Sequence, residues 1–131
     1  LSANSVSSSL LDVAEAHLKA APQSKTVAHQ QVPLSTLDEQ LATLEAPRLW
    51  LKMDVQGHEL AVLRGASSTL TRCHAVQAEV SFADLYDGQS PWLEVCAHLV
   101  EAGFQLRYLE AGYEDAATGF MLQADVLFLR R

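Results

Sequence analysis

The sequence has little of several features that would assign it to a specialised class of protein. Nine basic residues stand against sixteen acidic ones, and the formal net charge is -7. This balance gives no global basic footprint for nucleic acid or for an anionic membrane surface. No apolar run approaches the roughly 20 residues that span a bilayer, and the start LSANSVSSSLLD does not resemble a signal peptide. We therefore expect neither nucleic acid nor membrane as a partner.

Cysteines and common catalytic motifs are also scarce. The only two cysteines, Cys73 and Cys96, form no C-x-x-C pair, which predicts free thiols packed in the core of a protein from a reducing, cytoplasmic location. The chain contains no G-x-S-x-G, P-loop or G-x-G-x-x-G pattern. The usual marks of hydrolases, kinases and dehydrogenases are therefore missing.

What the sequence has is enough apolar material for one folded domain. Its 131 residues are 49% hydrophobic, which suits a single domain with a sizeable core and argues against disorder. The chain starts with Leu1 rather than Met, and we expect it to be part of a longer protein.

The sequence pattern of residues 1–46 predicts two flanking helices and an edge strand. Helical spacing over residues 10–20 ends at Pro22. Residues 26–34 favour a strand whose end Pro33 restricts to a sheet edge, and a short helix is predicted to begin at Ser35 or Thr36.

Residues 47–131 predict a β-α-β-α-β-β core, so that 1–131 form a single domain. The expected strands cover residues 49–55, 75–82, 104–109 and 121–129, and the expected helices cover 59–70 and 91–102. This alternation indicates an α/β fold with a mostly parallel sheet. The last two strands have no helix between them, which predicts an antiparallel last strand at the end of the sheet.

Asp54 lies where the first core strand ends and a turn begins. Gly57 allows the backbone to bend in this turn. Ligands of open α/β sheets sit beyond the carboxyl ends of strands, so Asp54 either positions or deprotonates a substrate or only caps the turn. A metal cluster of Asp54, His58 and Glu59 lacks a second histidine, and we predict no metal site. The other histidines, His17 among them, are scattered and are interpreted as surface or core groups.

Glu79 raises a related question, because it interrupts a buried-looking strand. Strand alternation places Gln77, Glu79 and Ser81 on one face. An unpaired buried carboxylate is costly. Glu79 therefore belongs either to a solvated polar face or to a cleft beside Asp54.

The stretch LKMDVQGHELAVLRGA, residues 51–66, resembles the signature of FkbM-type methyltransferases. That signature is K-hydrophobic-D-hydrophobic-(Q/E)-G-x-E followed by L-x-V-L-(K/R)-G-A. Further similar stretches occur in the same order, so that the resemblance covers nearly the whole chain. They are SSSLLD, VPLSTLDE, AEVSFADLYDG, AGF and TGFMLQADVLFLRR.

The resemblance implies a partial Rossmann-like methyltransferase sheet that uses S-adenosylmethionine. It implies O-methylation of a hydroxyl on a small molecule or a sugar. By the same likeness, Asp54, Glu59 and Glu79 are the candidate catalytic residues, and Asp54, Gln56 and Gly57 form the cofactor-facing turn. Tyr86 and Trp92 are either wall residues of the acceptor pocket or residues that only pack in the fold.

One part of the family pattern is missing. Residues 1–50 contain nothing like the D-x-G-x-x-x-G cofactor loop, and we expect the chain to begin after the cofactor-binding half. A half-sheet exposes an edge, which predicts a homo-oligomer. The alternative function is a non-catalytic α/β module, derived from a methyltransferase, that dimerises or binds a partner.

The missing loop leads to a prediction about cofactor affinity. We expect the isolated 131-residue chain to bind S-adenosylmethionine weakly or not at all unless a second chain completes the site. Titration calorimetry on the monomer measures this directly, and tight binding there would contradict the expectation.

Overall fold

Four strands form one mixed sheet, seen in a computed structural model that describes residues 1–4 and 6–131. The strands are β1 (Leu49–Met53), β2 (Cys73–Ser81), β3 (Phe104–Ala111) and β4 (Gln123–Arg130). The helices are α1 (Glu15–Ala20), α2 (Leu37–Gln40), α3 (Glu59–Arg64), α4 (Ser67–Arg72) and α5 (Trp92–Glu101), with a 3₁₀ turn at Pro22–Ser24. The order in the sheet is β1-β2-β4-β3.

The predicted α/β fold is confirmed, and the last strand is antiparallel as predicted. However, the sheet is mixed rather than mostly parallel, since only one of its three strand pairs is parallel, and the predicted place of the antiparallel strand is wrong. β1 and β2 pair in parallel, whereas β4 is antiparallel to both β2 and β3. β4 therefore lies inside the sheet, and β3 forms its edge. Burial gives the reason: Ala124, Val126 and Phe128 of β4 are buried, whereas β3 is exposed along most of its length.

The core lies on one face of the sheet. Alternate residues of β2, namely Val76, Ala78 and Val80, point into it. The helices α3, α4 and α5 cover this face with buried leucines and valine: Leu60, Leu63, Leu70, Val95 and Leu99. The opposite residues Gln77, Glu79 and Ser81 are only partly buried, as the period of two in a strand requires.

The single helix predicted for residues 59–70 is broken into α3 and α4. Asp38 of α2 accepts hydrogen bonds from the backbone N–H groups of Ser68 (2.9 Å) and Thr69 (2.7 Å) in the first turn of α4. These bonds lower the pKa of Asp38, the N–H of Ser68 acting most strongly. A side chain from another element thus caps a second helix start, which local periodicity does not reveal.

The flanking region follows the prediction only in part. A capping box at Thr36 and Glu39 starts α2 where predicted. In contrast, α1 covers only the second half of the predicted helix, and the prediction of an edge strand over residues 26–34 is wrong. Thr26 makes a single bridge to Ser2, and the following residues are exposed, so they have no sheet edge to join within the described chain.

Both cysteines are free, as predicted, with Cys73 in the core and Cys96 half-buried. None of the helices in the described residues has the length and apolar character that crossing a membrane requires.

Arg130 ties the end of β4 to the helix layer. Its Nε donates to the carbonyl of Cys73 (2.8 Å), and its two terminal nitrogens donate to the carbonyls of Ala102 and Leu70. Its guanidinium also lies 4.3 Å from the ring centroid of Phe104. One side chain thereby satisfies three carbonyls at the ends of helices and strands.

We expect Arg130→Gln to lower the free energy of unfolding by about 2 kcal/mol, because charge-assisted hydrogen bonds to partly buried carbonyls are lost. Urea denaturation measures the change. Arg131→Gln, at an exposed neighbouring side chain, is the matched control and should have little effect. Equal effects of the two variants would contradict this role of Arg130.

Candidate functional site

A tight turn joins β1 to α3 and places the candidate residues. Gln56 and Gly57 both adopt left-handed backbone conformations, with φ of 51° and 98°. Gly57 is required here, because a Cβ at this position would lie 2.9 Å from the Cβ of Gln89 and 3.0 Å from Leu11 Cδ1. The close approach at Gly57 is therefore to neighbouring side chains of the protein.

Glu59 holds this turn from inside the protein. Its side chain is buried, and its Oε1 accepts hydrogen bonds from the backbone N–H groups of Val55 and Gly57, both at 3.3 Å. Burial raises the pKa of Glu59, although these hydrogen bonds act in the opposite direction. The turn-holding role that the sequence left open for Asp54 is thus filled by Glu59.

Asp54 and Glu79 come together through one amide group. Gln56 Nε2 donates to Asp54 Oδ1 at 2.6 Å and to Glu79 Oε2 at 3.3 Å. Asp54 follows β1 and is exposed, whereas Glu79 lies on the neighbouring parallel strand β2 and is partly buried. The parallel pairing brings both carboxylates to the carboxyl ends of these strands.

Glu79 has the most perturbed carboxyl group of the site. Burial, followed by the negative charges of Asp54, Asp125 and Glu59, raises the pKa of Glu79 to about 7. A further hydrogen bond comes from Gln123 Nε2 on β4, at 2.6 Å from Glu79 Oε2. Glu79 is therefore populated in both protonation states near neutral pH.

The two carboxylates border a polar cleft of about 280 Å³. The residues that line it include Asp54, Gln56, Glu79, Gln123, His17 and Tyr113. No Lys or Arg contributes to this lining within the described residues. Asp54 also borders a second cavity of about 480 Å³. The volume of the first cleft lies just below the range of about 300–1,000 Å³ that small-molecule sites occupy.

His17 and Gln123 belong to this cleft although the sequence did not indicate them. His17 lies on α1 and is buried, with Nε2 3.0 Å from Ser24 Oγ. Burial lowers the pKa of His17, and the carbonyl of Leu85 offsets this only in part. Both residues reach the cleft from segments far from Asp54 in sequence, so no local signal could have found them.

The two predicted wall residues have different surroundings. Tyr86 is fully buried behind the cleft, and its hydroxyl contacts Gln56 Oε1 and the carbonyl of Ser7. Trp92 instead packs edge-on against Phe82, with ring centroids 5.2 Å apart, and is not part of the cleft lining.

Metal binding has no geometric basis in the part of the chain that the structure describes. There, no three His, Cys, Asp or Glu side chains lie together in an arrangement that could hold a metal ion. His58 is the N-cap residue of α3 but makes no side-chain capping bond.

The raised pKa of Glu79 predicts a pH-dependent loss of stability. Its value lies near 4.5 in the unfolded chain and near 7 in the folded one, so the folded state binds the extra proton. This contribution is fully present below about pH 4.5 and is lost as the pH rises through about 7. Because Glu79 is partly exposed, we expect the loss to be about 1 to 2 kcal/mol, below what the full shift implies.

We therefore expect Glu79→Gln to be more stable than wild type at pH 8 and similar to it at pH 4. Urea denaturation at both pH values measures this difference. Glu45→Gln, at an exposed position, is the matched control that should behave alike at both. A constant difference between Glu79→Gln and wild type across this range would refute the assignment.

Comparison with known proteins identifies one family. The model of the methyltransferase FkbM domain matches residues 2–106, a range that includes the turn, Asp54, Glu79 and Tyr86. Searches of curated proteins and of solved structures found no match. The family match covers most of the chain and includes every candidate catalytic residue. The chain belongs to the FkbM methyltransferase domain family.

Proposed function

We propose that this protein transfers a methyl group from S-adenosylmethionine to a hydroxyl oxygen of a small molecule or sugar. The observation that carries the proposal is the pair of carboxylates, Asp54 and Glu79, joined by Gln56 at the edge of a polar cleft. The parallel β1–β2 pair suits a Rossmann-like methyltransferase sheet, whose ligands lie at the carboxyl ends of its strands. Family membership supports the reaction class.

In this proposal Glu79 accepts the proton of the acceptor hydroxyl. A general base works best when its pKa lies near the operating pH, and the pKa of Glu79 is raised to about 7. The exposed Asp54 orients the same hydroxyl, because an aligned acceptor oxygen lowers the entropic part of the barrier. Glu59 stabilises the turn that carries Asp54 rather than contacting the acceptor.

S-adenosylmethionine supplies an electrophilic methyl group on a positively charged sulfur. The cleft matches that charge, since its lining includes two carboxylates and no Lys or Arg among the described residues. Asp54 is the group proposed to contact it, and Gln56, whose amide is bonded to both carboxylates, shapes the cofactor-facing turn. The N–H of Gly57 is already bonded to Glu59, so Gly57 contributes by shaping the turn.

These residues fit only part of such a donor. The described chain offers no glycine-rich acidic loop between a strand and a helix before β1. We infer that a further segment or a second chain completes the cofactor site, with the acceptor side supplied here.

A second candidate function is the non-catalytic module that self-associates. It is supported by β1, which forms a sheet edge within the described residues and carries Trp50 at 66% exposure. An exposed apolar edge strand is a surface for pairing with another chain. A homo-oligomer joined through this edge would also suit the enzyme, so that self-association alone does not decide between the two functions.

Two substitutions test the enzymatic proposal in the natural protein that contains these residues. We expect Glu79→Gln to reduce turnover about 100-fold, the usual contribution of a general base. We expect Asp54→Asn to reduce turnover by about 10-fold or more while changing stability by less than about 0.5 kcal/mol, because Asp54 is exposed. Methyl transfer to a panel of polyhydroxyl acceptors and urea denaturation give the two readouts.

The pH profile and a control variant sharpen this test. Wild-type turnover should rise as the pH passes about 7, because the base must be ionised, and Glu79→Gln should lose this rise. Asp84→Asn, at an exposed position outside the cleft lining, should leave turnover unchanged. Full turnover in both site variants would remove these carboxylates from the mechanism.

A further inference from the structure

The side-chain amide of Gln56 has partners at both ends. Its Nε2 faces the carboxylate oxygens of Asp54 and Glu79, and its Oε1 faces the hydroxyl of Tyr86. Only the NH₂ end of an amide can donate to carboxylates. The two acids therefore require this orientation, and the carbonyl end must then accept a hydrogen bond from the tyrosine.

The backbone of Gln56 is held as firmly as its side chain. The residue adopts φ of 51°, a left-handed conformation that non-glycine residues rarely adopt. Ser9 Oγ donates to its carbonyl oxygen at 2.7 Å. A conformation that costs free energy persists here because contacts at both ends of the residue maintain it.

Tyr86 is well placed to fix the amide. The residue is fully buried, and its hydroxyl lies between Gln56 Oε1 and the carbonyl of Ser7. Burial raises the pKa of Tyr86 to about 12, so the hydroxyl keeps its proton at all working pH values. It therefore remains a donor, and its ring does not enter the cleft lining.

We propose that Tyr86 and Gln56 are positioning residues: the Tyr86 hydroxyl fixes the Gln56 amide, whose NH₂ group holds Asp54 and Glu79 together. This inference rests on the proposed function, in which both carboxylates act on the acceptor hydroxyl. Neither Tyr86 nor Gln56 exchanges a proton in the reaction. Their contribution is to keep a hydrogen-bond donor between two like charges, which would otherwise repel each other.

Several charged groups shift the pKa of Glu79, most of them upward, and the Gln56 amide acts in the opposite direction. The negative groups are Asp54 after β1, Glu59 on α3 and Asp125 on β4, while Lys52 on β1 acts in the opposite direction. Tyr86 behind the cleft, and His17 and Tyr113 in its lining, are further titratable side chains on this side of the sheet. A donor to the ionised carboxylate favours the charged form, so losing the amide donor should raise the pKa of Glu79 further.

The test is a direct titration of the Glu79 carboxyl carbon by NMR in three versions of the full chain. Tyr86→Phe removes only the hydroxyl, and we expect the pKa of Glu79 to rise by about 0.5 to 1, as the loss of one hydrogen bond implies. Gln56→Met removes the donor without adding a charge and should raise the pKa of Glu79 at least as much. The pH profile of methyl transfer in the natural protein should move upward in parallel.

Tyr108→Phe is the matched control, because Tyr108 lies on the edge strand and is 58% exposed. It should leave the Glu79 titration unchanged. An unchanged titration in both Tyr86→Phe and Gln56→Met would overturn the inference, and so would an equal shift in Tyr108→Phe. If Tyr86→Phe does not fold, the Gln56→Met titration decides.

The outcome also separates this inference from the proposed function. A shifted Glu79 titration together with full turnover of Glu79→Gln would refute the function and leave the positioning network intact. An unshifted titration together with inactive Glu79→Gln would refute the network and leave the function intact.

Discussion

A buried carboxylate, that of Glu59, stabilises the turn on which the site depends. Its Oε1 satisfies the N–H groups of Val55 and Gly57, which would otherwise be left without partners in the strand-to-helix turn. The left-handed backbone at Gln56 and Gly57 follows from this arrangement, and it directs the Gln56 side chain toward β2. Burying a carboxylate is costly, and here two backbone donors offset part of the cost.

The two candidate catalytic acids show how environment separates chemically equal groups. Asp54 is exposed after the end of β1, whereas Glu79 is partly buried on β2 among like charges. Burial and repulsion both disfavour the charged form of Glu79, which raises its pKa to about 7. In the proposed mechanism, Asp54 therefore orients the substrate and Glu79 exchanges a proton. The amide groups of Gln56 and Gln123 stabilise this close pair of acids. Both donate to Glu79 Oε2, and Gln56 also donates to Asp54 Oδ1.

The core elements were predictable because each carries a local signal. Apolar runs marked the three strands β1, β2 and β4, and Pro91 with Gly103 bounded α5 as expected. The break between α3 and α4 was not predictable, because it depends on Asp38 from a distant helix. The position of β4 inside the sheet was missed for a similar reason: hairpin connectivity fixes its direction but not its neighbours on both sides.

The amino-acid sequence by itself determined the α/β class, the strand-turn-helix unit at Asp54 and the family signature in residues 51–66. These follow from periodicity and from residue types at fixed local spacing. Only the tertiary structure decided that Glu59 faces inward to the turn, that Tyr86 and Gln123 support the acids, and that His17 lies in the same cleft. The turn bonds of Glu59 span only 2 and 4 residues. The hydrogen bonds of Glu79 and Tyr86 instead join residues 23 to 79 positions apart, and packing of the sheet against its flanking segments brings these residues together. Local sequence patterns do not specify contacts over such long separations along the chain. The surroundings of the site residues therefore depend on the fold.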